Sequence, residues 1–164
     1  MKFISHRGNL SGRNTSLENT PSYVDQAMNS GFYVEVDLWF SDGEYFLGHD
    51  APEHKISAGW LNSRKEHLYV HAKTIKTIER LVTSRFDVTY FFHADDECTL
   101  TSSGELWVHP NSAPVTGSIF VMPEIRGVSI EEMKNCSGLC TDYVIQYYDE
   151  YNSLGILKNE RHKN

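Results

Sequence analysis

Runs of β-branched and aromatic residues recur along this chain, and the length of chain between them changes halfway through. That change limits what the chain can fold into. In the first half the runs are Lys2 to His6, Phe32 to Phe40, His67 to Lys73 and Phe86 to His93. Helical signals lie between them. Thr20-Pro21 reads as an N-cap and first helical position, with Tyr23, Val24, Ala27 and Met28 on the buried face and Gly31 closing the helix after Asn29. Thr74 opens a second helix carrying Ile75, Ile78, Leu81 and Val82 at helical spacing, and a short helix is expected around Trp60 and Leu61. Strands alternating with helices predict βα units and a parallel sheet. In the second half the strand-like runs are Glu105 to His109, Ser118 to Met122 and Leu139 to Tyr147. The stretches Asp95 to Gly104 and Pro110 to Gly117 are too short and polar for helices, and Ser129 with Glu132 reads as a capping box opening a short one. A full eight-fold barrel takes about 250 residues, and this chain has 164. The expectation is therefore a reduced (β/α) TIM-like barrel with several outer helices missing or shortened. It would form one domain over residues 1–155, followed by a polar tail over 156–164.

The second run carries the chemistry. In Val34-Glu35-Val36-Asp37-Leu38, alternation puts Glu35 and Asp37 on one face and the three apolar residues on the other. Two like charges on one strand face call for a cation or for proton work. Around them stand Ile4-Ser5-His6-Arg7-Gly8, Leu17-Glu18-Asn19-Thr20, the hairpin turn Asp42-Gly43 and Leu47-Gly48-His49-Asp50. Most expected strands end on polar residues: His6, the Glu35 and Asp37 pair, His71 and Lys73, His93 and Asp95, His109, and Glu124. In barrels of parallel strands those ends hold the active site.

The ordered set His-Arg-Gly, Glu-Asn-Thr, Glu-x-Asp, Asp-Gly and His-Asp resembles the glycerophosphodiester phosphodiesterase family, of the phosphatidylinositol-phospholipase-C-like superfamily. The resemblance is close over residues 3–50 and loose beyond. It implies metal-dependent hydrolysis of a glycerophosphodiester or similar small phosphodiester. His6 and His49 would be the acid–base pair, and Glu35 and Asp37 the metal ligands. In such enzymes a neighbouring hydroxyl of the substrate attacks phosphorus. Arg7 and Lys73 are candidate phosphate clamps, because fixed cations offset the charge on phosphoryl oxygens. His71 departs from the family, whose third strand carries Glu-x-Lys where this chain has His71-Ala72-Lys73. The carboxylates suit Mg²⁺ or Ca²⁺, while an imidazole as third ligand favours Mn²⁺, Zn²⁺ or Fe²⁺. Trp107 and Tyr147 are candidates for substrate contact. Two alternatives stay open: a phospholipase-D-like lyase giving a cyclic phosphate, and a phosphodiester-binding module without turnover.

Composition narrows the partners. A formal charge of −7 argues against nucleic acid or an anionic membrane. No apolar run approaches a membrane span. Met1 to His6 runs straight into the expected first strand, so no signal peptide is expected. Cys98, Cys136 and Cys140 read as reduced thiols, with a zinc site as a minor alternative, so the expected setting is cytoplasmic. Lost outer helices would leave apolar strand faces, which a homodimer would cover.

Overall fold

A computed structural model describes residues 1–161. The strands are β1 (Lys2–His6), β2 (Tyr33–Ser41), β3 (Glu44–Leu47), β4 (His54–Ile56), β5 (Leu68–Ala72), β6 (Thr89–Phe91), β7 (Cys98–Leu100), β8 (Leu106–Val108), β9 (Ile119–Val121) and β10 (Gly138–Thr141). The helices are α1 (Pro21–Asn29), α2 (Ala58–Ser63), α3 (Ile75–Thr83) and α4 (Val144–Arg161). Seven strands, β6-β5-β2-β1-β10-β9-β8, run parallel to their neighbours. Three more are antiparallel: β3 on β2, β4 on β3 and β7 on β8.

The expectation of a reduced (β/α) TIM-like barrel is corrected here. The ten strands form one mixed sheet curled into a half-barrel, with four helices. Among the described residues β6 pairs only with β5 and β8 only with β7 and β9, so the ladder does not close. The chain between β6 and β8 is spent on the antiparallel arm β7, whose following turn reaches the open edge. There Ser102 N–H donates to the Tyr90 carbonyl at 2.7 Å, and Tyr90 N–H donates to Ser102 Oγ at 2.9 Å.

Curling gives the sheet an inner and an outer face, and strand alternation sorts the residues between them. Ile4, Tyr69, Phe91, Trp107, Ile119, Val121 and Cys140 pack together inside. Their sequence neighbours face out in two separate cores. Val34, Val36, Leu38, Leu68, Val70 and Ala72 pack with Val24 and Ala27 of α1 and Leu81 of α3. Phe3, Val108, Phe120 and Leu139 pack with Ile130, Met133, Cys136, and Val144 and Tyr147 of α4. The apolar faces expected to lie bare are thus covered within the chain, which removes the stated reason for a homodimer. Cys136 and Cys140 are buried free thiols in different cores and Cys98 is exposed, so they make no zinc site. No helix among the described residues is long and apolar enough to cross a membrane.

Several local expectations meet the structure closely. Thr20 Oγ1 accepts from Tyr23 N–H at 3.4 Å and caps α1, while Thr74 caps α3. Asp42 and Gly43 both have positive φ, 51° and 82°, which matches a hairpin turn to the twist of β2 and β3. Others need correction. On α3 the buried face is Thr77 and Leu81, while Ile75 and Val82 are exposed, because the helix docks its Thr77 Oγ1 onto the Phe40 N–H. The Ser129–Glu132 capping box forms, but it closes only a turn. The last strand ends at Thr141, and α4 takes up Val144 to Arg161 where a strand end and a loose tail were expected. Of the expected tail, 156–161 belong to α4 and 162–164 lie outside the described residues. Tertiary burial of Val144, Tyr147 and Leu154 along one side of α4 outweighs a mostly polar composition.

Leu139 is fully buried and Ile75 is 74% exposed. Leu139→Ala should cost about 2–5 kcal/mol in urea unfolding, whereas Ile75→Ala should stay within about 0.5 kcal/mol. Equal effects from the two would contradict the buried face assigned to each.

Candidate functional site

The C-terminal ends of the parallel strands open onto one cavity of 380 Å³, lined among others by His6, Arg7, Arg13, Glu35, His49, His71 and Lys73. A larger groove of 730 Å³ along α4 is lined by no histidine and no basic residue, and brings together no comparable chemistry. Six of the seven site residues expected from the sequence therefore line one cavity, and the seventh, Asp37, is fully buried beneath it.

The sharp turn after β1 is the first positioning device. Arg7 adopts a left-handed conformation, φ 54°, and its N–H donates to the Glu35 carbonyl at 2.9 Å. Gly8 follows at φ 92°, where an added Cβ would sit 2.8 Å from the Tyr23 ring. The chain turns back over the strand ends, and the Arg7 side chain lies against Asp37, Nε to Oδ2 2.8 Å. The Glu18-Asn19-Thr20 motif supports that turn. Glu18 contacts Arg7 at 3.3 Å and accepts from Asn9 Nδ2 at 3.0 Å. Asn19 bonds Asp37 twice, with Nδ2 donating to Oδ2 and Oδ1 accepting from the backbone N–H, both at 3.0 Å.

Asp37 is the most heavily coordinated group. Its Oδ1 also meets His71 Nδ1 at 3.0 Å and Lys73 Nζ at 3.1 Å. Burial alone would raise its pKa. The His71 hydrogen bond and the Arg7 and Lys73 charges outweigh burial and hold the carboxyl well below the usual range. Glu35, two residues away, has the opposite balance. Burial and the Asp37 charge push it up to about 7. Its Oε2 is buried without a hydrogen-bond partner among the described residues, and His6 Nε2 lies 3.9 Å from it. One ligand atom each from Glu35, Asp37 and His71 lie within 4.8 Å of one another. An orphaned carboxylate oxygen beside a second carboxylate and an imidazole fits a divalent cation.

The sequence points to His6 but not to its partner. His6 Nδ1 lies 2.7 Å from Asp142 Oδ1, just past the end of β10. Burial would lower the His6 pKa, but the Asp142 hydrogen bond and the Glu35 charge raise it, so the imidazolium form is favoured. Asp142 is itself held. Asn9 Nδ2 donates to the same oxygen at 2.8 Å, and Glu124 accepts from the Asp142 N–H at 2.9 Å and from Thr141 Oγ1 at 2.8 Å. Glu124 thus clamps the end of β10 and does not line the cavity. A polar pair closing a buried strand is the available signal for Asp142, but only topology brings β10 beside β1.

His49 reaches the cavity from the far side of the hairpin. Gly48 N–H donates to the Asp37 carbonyl at 3.2 Å, and the Trp39 indole donates to the Gly48 carbonyl at 2.6 Å. A Cβ at Gly48 would fall 2.1 Å from the Ala51 carbonyl, so the loop tolerates no side chain there. The His49 side chain is 40% exposed and its Nδ1 lies 2.8 Å from Asp50 Oδ1. Burial and the Arg7 charge lower its pKa, which favours the neutral ring. Trp107 forms part of the cavity wall, whereas Tyr147 packs on the outer face and is not at the site; Asp95 does not line the cavity either. His93 and His109 do line it.

Comparisons with protein-family models, with curated proteins and with solved structures find no match to this chain.

Replacing Asp142 by Asn removes the charge that favours the His6 imidazolium. The His6 pKa, followed by NMR titration, should fall; an unchanged value would contradict the coupling. His109 gives a separate pH signature. Burial and the neighbouring His93 lower it from 6.5 to about 4. The unfolded chain therefore binds this proton first, and the stability contributed by neutral His109 is lost as pH falls from 6.5 towards 4. Urea midpoints measured across that window should decline less steeply in His109→Asn than in the wild type.

Proposed function

We propose that this chain is a metal-dependent phosphodiesterase acting on a glycerophosphodiester or a similar small phosphodiester, as its resemblance to that family implies. The observation that carries the reading is the convergence of His6, His49, Arg7, Lys73, Glu35 and His71 on one cavity, over the buried Asp37. Glu35, Asp37 and His71 would hold the divalent cation, Mg²⁺ or Ca²⁺ by the carboxylates and Mn²⁺ by the imidazole. Such an ion supplies charge stabilisation at the phosphoryl oxygens. Arg7 and Lys73 add fixed positive charge beside the same position.

The two histidines are suited to different halves of the reaction. His49, favoured in its neutral form, accepts the proton of the hydroxyl that attacks phosphorus. His6, whose protonated form Asp142 favours, gives its proton to the departing alkoxide oxygen. Asp142 and Asn9 hold the ring in the orientation that leaves Nε2 towards Glu35 and the cavity. When the attacking hydroxyl belongs to the substrate, the immediate product is a cyclic phosphate; persistence of that product would mark the lyase alternative.

One observation favours a second reading. Asp37 already meets Arg7, Lys73, His71 and Asn19, so the cluster is partly balanced by the protein's own cations. That arrangement also suits a phosphodiester-binding module without turnover.

The test is activity on glycerophosphocholine and bis(p-nitrophenyl) phosphate with Mg²⁺, Ca²⁺, Mn²⁺ or Zn²⁺. Turnover should require a metal and should fall by about 10²–10⁴-fold in His6→Ala. Binding of the diester without product in the wild type, under every metal, would reject catalysis in favour of the binding module.

A further inference from the structure

Two histidines at the cavity have no part in the chemistry just described. His93 follows β6 and His109 follows β8, and both line the cavity together with Phe91, Trp107, Val121 and Met122. With His71 they form a column. The His71 and His93 rings stack at 4.4 Å between centroids and 14° between planes, and His93 and His109 lie 4.0 Å apart at 44°. His71 is engaged through Nδ1 by Asp37.

Each of these rings keeps a nitrogen without a partner among the described residues. His93 Nδ1 lies 3.0 Å from the Ala94 carbonyl oxygen. A carbonyl can only accept, so Nδ1 carries the hydrogen, and Nε2 of the neutral ring keeps its lone pair. Among the described residues that Nε2 has no partner. The His109 ring makes no hydrogen bond to any described residue, and its Nε2 is buried. A buried polar atom without a partner is rare and costly, and calls for an explanation.

We propose, on the phosphodiester reading above, that His93 and His109 are specificity-determining residues that bind hydroxyl groups on the alcohol portion of the substrate, so that the site selects a polyol ester over a plain alkyl ester. An imidazole with one protonated nitrogen offers one donor and one acceptor. A hydroxyl is also both donor and acceptor, so two adjacent rings match a polyol. An alkyl group would leave both rings unpaired, and an ammonium group could use only their lone pairs. The phosphate has its own partners in Arg7 and Lys73, and Val121 and Met122 supply an apolar surface for the carbon chain.

Binding tests this without relying on turnover. Calorimetric titration of the full chain in Mg²⁺ buffer would compare sn-glycerol 3-phosphate, n-propyl phosphate and inorganic phosphate. The two esters share a phosphate and a three-carbon chain and differ in hydroxyl groups. The wild type should bind glycerol 3-phosphate about tenfold more tightly than propyl phosphate. In a His93→Phe/His109→Phe double variant, which keeps the stacked rings, the ratio should fall to about one, with propyl phosphate affinity within about twofold of wild type. His109→Gln, which keeps a hydrogen-bonding group, should retain part of the preference. In the wild type, the ring nitrogens of His93 and His109 should shift in ¹⁵N NMR with glycerol 3-phosphate and not with propyl phosphate. That measurement stands even if the double variant fails to fold. Equal affinity for the two esters, a preference that survives in a folded double variant, or unmoved ring nitrogens would each overturn the proposal. If only these results fail while all three phosphates bind, the phosphodiester reading stands without it. If none of the three binds, both fall together.

Discussion

The burial of two carboxylates two residues apart on the inner face of β2 is the constraint on which the rest of the site depends. Neither Glu35 nor Asp37 has water to solvate it, since they are 3% and 0% exposed. A buried charge is tolerated only when partners supply what water would. Asp37 receives that supply from three parts of the chain: Arg7 after β1, Asn19 before α1, and His71 with Lys73 at the end of β5. Glu35 does not, and its Oε2 is buried with no hydrogen-bond partner among the described residues. The two acids thus divide the work: one organises the surrounding loops and the other is held near neutrality.

The half-barrel is what makes this division possible. Its inner surface is filled by Ile4, Tyr69 and Ile119, with Phe91 and Trp107 reaching up to form the cavity wall, and Lys2, Tyr69 and Glu105 close the other end through contacts of 2.8–2.9 Å. The polar residues that remain are gathered at the C-terminal ends of the parallel strands. There each strand contributes one or two side chains to a common space, and the outer helices and α4 hold the strands in place from behind. Most of the site is carried on strand ends and tight turns. His49 is the exception, since it rides on a hairpin loop fastened by Gly48 and Trp39.

Much of this arrangement is legible in the amino-acid sequence. The alternation of Val34, Val36 and Leu38 with Glu35 and Asp37 places the acids inside, because a strand leaves no other choice once the apolar set is buried. Thr20-Pro21 and Thr74 cap helices where expected, and Asp42-Gly43 turns the hairpin, because these are local effects of side-chain oxygens and positive φ. What is not legible is non-local. The exposure of Ile75 and Val82 follows from how α3 docks on β2 and not from its periodicity. The short strands β4 and β7 have weak patterns and exist because neighbouring strands offer edges to pair with. The helix over Val144–Arg161 depends on a groove that forms only when β1, β9 and β10 lie side by side.

By itself the sequence determined which residues alternate inward, where the first helices begin, and that His6, Arg7, Glu35, Asp37 and His49 stand near strand ends. Tertiary structure alone decided that the sheet curls without closing, because the chain after β6 turns back as an antiparallel arm. It also decided that Asp142 meets His6 across 136 positions of sequence, and that His71, His93 and His109 stack into one column. The physical reason is one of range. Alternation, capping and turn chemistry act within a few residues, whereas strand order and the partnering of buried charges depend on which distant segments share the same interior.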